Sequence, residues 1–306
     1  MRVFVTGATG ALGQHLVPQL LAAGHDVTAT TRSPDKAAGL RAAGAEPVVL
    51  DGLDRDAVVA AVVAARPDAI VHQMTALADL HSLTNLDESF AATNELRTRG
   101  TDNLLAAAET AGTRRVVAQT AERTLYRSGA SAKVETDPYD EPVSAAARTQ
   151  AAIRYVEQTV PAAVPEGIVL RYGTFYGPGA SDFLLEAVRA QHLPVIGGGT
   201  GIWSFIETSD AASATVAAIE RGEPGIYNVG DDDPAPVADW LPYLAEVAGA
   251  QPPAQVPVSV GEELAGEFVV VQMTTARGIS NEKARKELGW EPRFASWRDG
   301  FRAWVA

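Results

Sequence analysis

The sequence predicts an α/β fold, a doubly wound parallel sheet followed by a smaller C-terminal part, and three observations carry this. Residues 1–13 read MRVFVTGATGALG, a short apolar run that leads into Gly7, Gly10 and Gly13 and then into a helical pattern. Strand-like and helix-like segments alternate from there through Arg171. Beyond that point Gly and Pro cluster at Gly177-Pro178-Gly179, at 197–199 and at Gly201, and the alternation loosens. Repeated β-α units require right-handed crossovers and so build a parallel sheet with helices on both faces.

The elements follow in order. Val3–Thr6 is expected as a strand and Leu12–Ala23 as a helix, stopped by Gly24. Asp26–Thr31 is a second strand, Lys36–Ala43 a short helix ended by Gly44, and Pro47–Leu50 a third strand. Arg55–Ala65 has helical apolar spacing and stops before Arg66-Pro67. Ala69–Met74 is a fourth strand, Leu86–Ala111 one long helix and Arg115–Thr120 a fifth strand. A polar loop spans Ala121–Val143, Ser144–Val160 is helical and Gly167–Arg171 is a sixth strand. A strand at Ile226–Val229 and helices at Val237–Ala248, Asn281–Leu288 and Ser296–Val305 complete the reading. The expected organisation is a Rossmann-like nucleotide-binding domain over residues 1–175 and a smaller substrate-binding part over 176–306, some of it rejoining the core.

Composition narrows the function. The chain has 306 residues, 46% hydrophobic and 21% charged, which suits a globular protein with a sizeable core. It has no cysteine, so disulfides, thiol catalysis and thiolate metal sites are excluded, and no metal site is expected. A formal net charge of -13 argues against nucleic acid or an anionic membrane as the main partner. No apolar run is long enough to span a bilayer, and the first strand leaves no room for a leader, so a cytoplasmic protein is expected.

The opening glycines point to phosphate. Gly7 permits the tight turn, Gly10 a close backbone approach to a pyrophosphate, and Gly13 the packing of helix on strand, with Thr9 and Leu12 in the same loop. The end of the second strand then selects the cofactor. An acid there would hold the adenosine ribose hydroxyls, whereas arginine accommodates a 2′-phosphate. Here Thr31 is followed by Arg32, Ser33 and then Lys36, two cations and a donor with no carboxylate at the strand end. That favours NADP over NAD, the alternative being that both cations are simply solvated. Asp51, beside Gly52, is placed to accept from the adenine amino group or to cap the next helix, a role that suits Asp54 better.

These residues carry a resemblance. The TGATGALG opening, Leu50–Asp54, Asn94 with 100–105, 170–179, Trp203–Ile206 with Asp210, and 226–230 are similar to the extended short-chain dehydrogenase/reductase family, also called the NAD-dependent epimerase/dehydratase family. Ser280-Asn281, Lys283, Leu288-Gly289-Trp290 and Pro292 extend the likeness to the C-terminus. The resemblance implies a nicotinamide coenzyme, a small-molecule substrate between the two parts, and a homodimer built on Leu86–Ala111 and Ser144–Val160.

The sequence also departs from the family. Members carry a Tyr-x-x-x-Lys pair on the helix before the sixth strand, where Tyr moves the proton and Lys lowers its pKa. Here that helix reads SAAARTQAAIRYVEQTV; it contains no lysine, and its one tyrosine, Tyr155, is followed four residues later by Thr159. Registering the helix on its apolar face places Ala145 or Ala146 at the tyrosine position and Thr149 or Gln150 at the lysine position. The substitute catalytic candidates are Thr120 at the end of the fifth strand, Tyr126 in the following loop, and Arg148 facing the gap. His72, Tyr172, Phe175, Tyr176 and Trp203 are candidates to border the substrate, with core packing or loop-holding as the competing reading for each. The leading expectation is an atypical NADP-dependent oxidoreductase acting on a small carbonyl or unsaturated substrate. A non-redox isomerase, cyclase or lyase on the same scaffold, and an NADP-sensing binding protein, remain as alternatives.

Overall fold

A computed structural model describes residues 1–77 and 84–306. Seven strands form one sheet: β1 (Arg2–Thr6), β2 (Asp26–Thr31), β3 (Glu46–Val49), β4 (Ala69–His72), β5 (Arg115–Ala121), β6 (Glu166–Tyr172) and β7 (Gly225–Val229). Their spatial order is β7-β6-β5-β4-β1-β2-β3, and every pairing is parallel. The order reverses between β1 and β4, which opens a crevice at the carboxyl ends of the strands. The central strands are buried on both faces, which is why β1, β4 and β5 read as apolar runs rather than alternating ones.

Two helical layers cover the sheet. On one face α1 (Gly13–Ala22) and α7 (Thr208–Arg221) pack Leu16, Val17, Leu20, Ala211, Ala214 and Ala218 against Val3, Val5, Val71, Val117 and Leu170. On the other face α3 (Arg55–Ala65), α4 (Thr101–Ala111) and α5 (Ala147–Ala163) pack Val58, Val62, Leu104, Ala107, Val156 and Val160 against Phe4, Ile70, Val116 and Val169. Helix α2 (Pro34–Ala42) follows β2. Strand β7 and helix α7 both lie beyond residue 175 yet belong to these layers.

The helix expected over Leu86–Ala111 is divided. Short helices Leu86–Ser89 and Ala91–Glu95 lead into a π-helical turn, Leu96–Gly100, before α4. The cause is local competition for backbone groups. Thr98 and Thr101 donate their hydroxyls to the carbonyls of Asn94 and Arg97, and the Leu96 carbonyl also pairs with the His72 ring.

The remaining helices are α6 (Asp182–Arg189), α8 (Val237–Val247), α9 (Val258–Thr274), α10 (Glu282–Leu288) and α11 (Trp297–Val305). Among them lies a second core, rich in aromatic rings: Tyr176, Trp203, Phe205, Trp240, Trp297 and Phe301, with neighbouring ring centroids 4.6 Å apart at the closest. Short strands stitch this part to the main sheet. Thr174–Tyr176 pairs with Phe205–Glu207, and Ala132–Lys133 pairs with Gly278–Ile279. Among the described residues no helix is long and apolar enough to cross a membrane.

Candidate active site at the carboxyl edge of the sheet

The glycine loop joins β1 to α1. Gly7 has φ 75°, and a Cβ there would lie 2.3 Å from the Gln73 carbonyl oxygen, so both conformation and space demand glycine. A Cβ at Gly13 would lie 2.4 Å from the Gly7 carbonyl oxygen, which lets α1 start directly against the loop. The Gly10 amide donates back to the Gly7 carbonyl, and Leu12 is buried beneath the turn. Helix α1 begins with no side-chain cap and no acid in its first turn; the Gln14 and His15 amides donate to the Gly10 and Leu12 carbonyls, and among the described residues the Leu12 and Gly13 amides have no acceptor. Thr9 ties the loop to the end of β2, its hydroxyl 3.4 Å from that of Thr31.

At the end of β2, Arg32 and Lys36 are exposed, and among the described residues neither side chain has a hydrogen-bond or ion-pair partner. The Ser33 amide donates to the Thr31 hydroxyl, which shapes the bend. Asp51 accepts from the Leu53 amide, and Asp54 takes the capping role on α3 by accepting from the Ala57 amide. Gly52 lies against Met74, where a Cβ would approach Sδ to 2.2 Å, and its carbonyl accepts from Asn103.

His72 ends β4 as a buried, neutral ring. Nδ1 accepts from the Met74 amide and Nε2 donates to the Leu96 carbonyl, while burial holds its pKa down to about 4. It fastens the β4 loop to the π turn, and both ring nitrogens are occupied in doing so. Gln73, next in the chain, is buried at the crevice, with its carboxamide toward Tyr172 and no well-formed hydrogen bond.

Thr120 and Tyr126 come together, in a buried polar network centred on Arg171. The Arg171 guanidinium is sealed from solvent and donates from Nε and a terminal nitrogen to the two oxygens of Glu157, at 2.8 and 2.9 Å. It also donates to the oxygens of Tyr126 (2.8 Å), Tyr139 (2.9 Å) and Asn228 (3.0 Å). Thr120 donates its hydroxyl to Glu157 at 2.8 Å, and Tyr139 donates to the same carboxylate. Burial pushes the Tyr126 hydroxyl well above the usual tyrosine range and that of Tyr139 up to about 12. These groups pin β5, β6, β7, α5 and the 121–143 loop to one another. The Thr120 proton is committed there, which corrects the expectation that it faces substrate, and Tyr126 is buried in the same network with its oxygen accepting from Arg171.

Arg148 stands apart and does not fill the lysine gap. Its side chain is 71% exposed and reaches Asp87 at 3.6 Å. Asp87 also accepts from the Arg148 and Thr149 amides and the Thr149 hydroxyl, fixing the start of α5. Gln150 holds the loop through the carbonyls of Thr124 and Asp140. Tyr155 donates to Asp102 at 2.5 Å on the outer side of the helix. The buried cation near this end of α5 is Arg97 of the π turn, which donates to Asn94; burial lowers its pKa to about 10.

Among the aromatic candidates, Tyr172 is buried with its hydroxyl 2.6 Å from that of Thr215, and Phe175 packs on its ring at 5.1 Å between centroids. Tyr176 is enclosed in the aromatic core, its ring centroid 5.1 Å from that of Phe301. The Tyr172 hydroxyl is engaged by Thr215, and the Tyr176 ring fills the aromatic core. Trp203 differs. One face of its indole supports the guanidinium of Arg123, 3.7 Å above the ring.

Arg123 and Glu122, the two residues beyond β5, are the site groups that the sequence reading missed. Glu122 is buried, and its amide donates to the Tyr172 carbonyl at the strand end. Burial raises its carboxyl pKa to about 8, against opposing fields from Arg123 and Arg171. Burial thus favours the protonated form of a carboxyl at the edge where the strands end. The signal available in sequence was position alone: two ionisable residues directly after a parallel strand that borders the switch point.

The sequence profile of the NAD dependent epimerase/dehydratase family matches residues 3–230. A 3-diazoavenalumate denitrifying reductase from a Streptomyces species is 44% identical over 307 residues, covering 98% of this chain and 99% of that protein. A 4-hydroxy-2-methyl-3-oxo-4-farnesyl-3,4-dihydroquinoline-1-oxide ketoreductase from Stigmatella aurantiaca is 28% identical, covering 96% of this chain and 92% of the relative. A human epimerase family protein solved with NADPH shares the fold, with a TM-score of 0.74 and 20% identity over 100% of this chain and 99% of that one. The glycine loop, the seven-stranded parallel sheet and these likenesses agree, and the chain belongs to the NAD dependent epimerase/dehydratase family.

Proposed function

We propose that this chain is an NADPH-dependent reductase of the short-chain dehydrogenase/reductase type, acting on a small carbonyl or unsaturated substrate. The carrying observation is the pair of exposed cations, Arg32 and Lys36, which have no partner among the described residues and follow β2, where no carboxylate stands at the strand end to hold a ribose diol. The reductases among the relatives support the reaction class.

When bound, the nicotinamide would supply a hydride. Gly7, Gly10, Gly13 and the start of α1 would hold the pyrophosphate, and Arg32, Ser33 and Lys36 the 2′-phosphate. In the absence of a tyrosine–lysine pair on α5, the proton is assigned to the Glu122 carboxyl, which lies just past the end of β5 and whose burial favours its protonated form. His72, Thr120 and the Arg171 network hold the strand ends in place around it.

Parallel calorimetric titrations with NADPH, NADP and NADH test this reading. NADPH is expected to bind at least about tenfold more tightly than NADH, with the difference lost in Arg32→Ala. Turnover is then sought on a panel of ketones, enones and 3-diazoavenalumate, the compound named for the Streptomyces relative. Failure of all three nucleotides to bind would turn the assignment to non-redox chemistry on the same scaffold.

A further inference from the structure

The residue after Glu122 is held as a poised anion receptor. Arg123 is half-buried, and three separate segments fix it. Its Nε donates to the Thr174 hydroxyl at 3.0 Å, just past the end of β6. Its guanidinium carbon lies over the Trp203 ring of the C-terminal part, 3.7 Å from the ring centroid. Its carbonyl accepts from Gln272 of α9 at 2.7 Å, and the Gln272 carbonyl in turn accepts from the Trp203 indole at 2.8 Å. With Nε used and the guanidinium held over the indole, the two terminal nitrogens are left, and none of the described residues accepts from them. Glu122 is adjacent in sequence and acts on Arg123 only through its field, with no ion pair between the two.

We propose that Arg123 is the anchor for a carboxylate on the substrate, so that this enzyme acts on small organic acids. A guanidinium whose orientation is already fixed presents a planar fork to a carboxylate and loses little freedom on binding. The need for such a residue follows from charge. A chain with a formal net charge of -13 repels anions at long range, so an anionic substrate requires a local cation in a partly desolvated place. Arg123 meets that need at the carboxyl edge of the sheet, where the main sheet and the C-terminal part face each other. Arg171 does not, because its donors are consumed by Glu157, Tyr126, Tyr139 and Asn228. The proposal rests on the reductase reading for the location of the substrate, and its test separates the two.

Wild type, Arg123→Gln and Arg123→Lys are titrated calorimetrically with benzoate, cinnamate and hexanoate and with the three matching amides, with and without saturating NADPH. Wild type is expected to prefer acids over amides by about tenfold or more in at least one pair, and the preference is expected to vanish in Arg123→Gln. Arg123→Lys covers a folding failure of the glutamine variant. It keeps the charge and loses the fork and the stack, so acids should still be preferred but bind more weakly than to wild type. Equal binding of acid and amide by wild type in all three pairs overturns the proposal. So does an acid preference that survives in Arg123→Gln, or unchanged acid affinity in Arg123→Lys. An Arg123-dependent acid preference without NADPH binding would uphold the anchor and sink the reductase reading. NADPH binding without any acid preference would do the reverse.

Discussion

The two ends of the crevice are built on opposite principles. At the end formed by the glycine loop and the bend after β2, Gly7, Gly10, Gly13 and the exposed cations Arg32 and Lys36 make few bonds to the rest of the described residues. At the end where β5 and β6 stop, almost every polar group is consumed internally, and Arg171 alone donates to four residues from α5, β7 and the 121–143 loop. The first end keeps its polar groups free of the described residues, and the second is a locked support. A hydroxyl or cation at a family position therefore means different things at the two ends. It identifies a ligand contact where neighbours leave it free, and a strut where they do not. Glu122 and Arg123 are the exceptions at the locked end, and for that reason they carry the proposed chemistry.

The comparison breaks most sharply at the locked end. Glu157→Ala leaves a sealed guanidinium without its carboxylate and is expected to cost about 3–5 kcal/mol, read by urea unfolding. A loss under about 1 kcal/mol would show that the network is not the support described. At the nucleotide end, Gly7→Ala places a methyl group against the Gln73 carbonyl at a positive φ. Its nucleotide affinity should fall by more than about tenfold, with a smaller loss of stability, about 1–3 kcal/mol; equal nucleotide binding by variant and wild type would remove the cradle.

Glu122 gives a pH test. Its folded pKa, about 8, lies above its ordinary value of 4.5, so the folded state binds the extra proton between these limits. Its contribution to stability is full below pH 4.5 and declines as pH rises through 8. Wild-type stability minus that of Glu122→Gln should therefore fall with pH across that window, as followed by unfolding at several pH values. A flat difference would place the carboxyl in water and remove it as the proton source.

The smallest effect is expected from Tyr155→Phe, which deletes one bond to Asp102 at the outer surface of α5. A stability change within about 1 kcal/mol and unchanged nucleotide binding are expected. A large loss of turnover on any substrate found would reinstate a tyrosine mechanism on this helix.

By itself the sequence determined much of the N-terminal half of the molecule. The limits of β2 and α3 and the glycine turn were all legible, because period, caps and turn chemistry act over a few residues. Helices α6, α7 and α9 were not read. Helix α7 is rich in Ala, Ser and Thr with little apolar contrast, and α9 carries Gly261 and Gly266, which interrupt its pattern. The fate of Thr120, Tyr126 and Arg148 was settled only by tertiary structure. Their partners, Glu157, Arg171 and Asp87, lie 37, 45 and 61 residues away in the chain. No local pattern encodes which distant charge will be buried beside a hydroxyl. The same holds for Arg123, whose stack on Trp203 and bond from Gln272 exist only once the two parts have packed together.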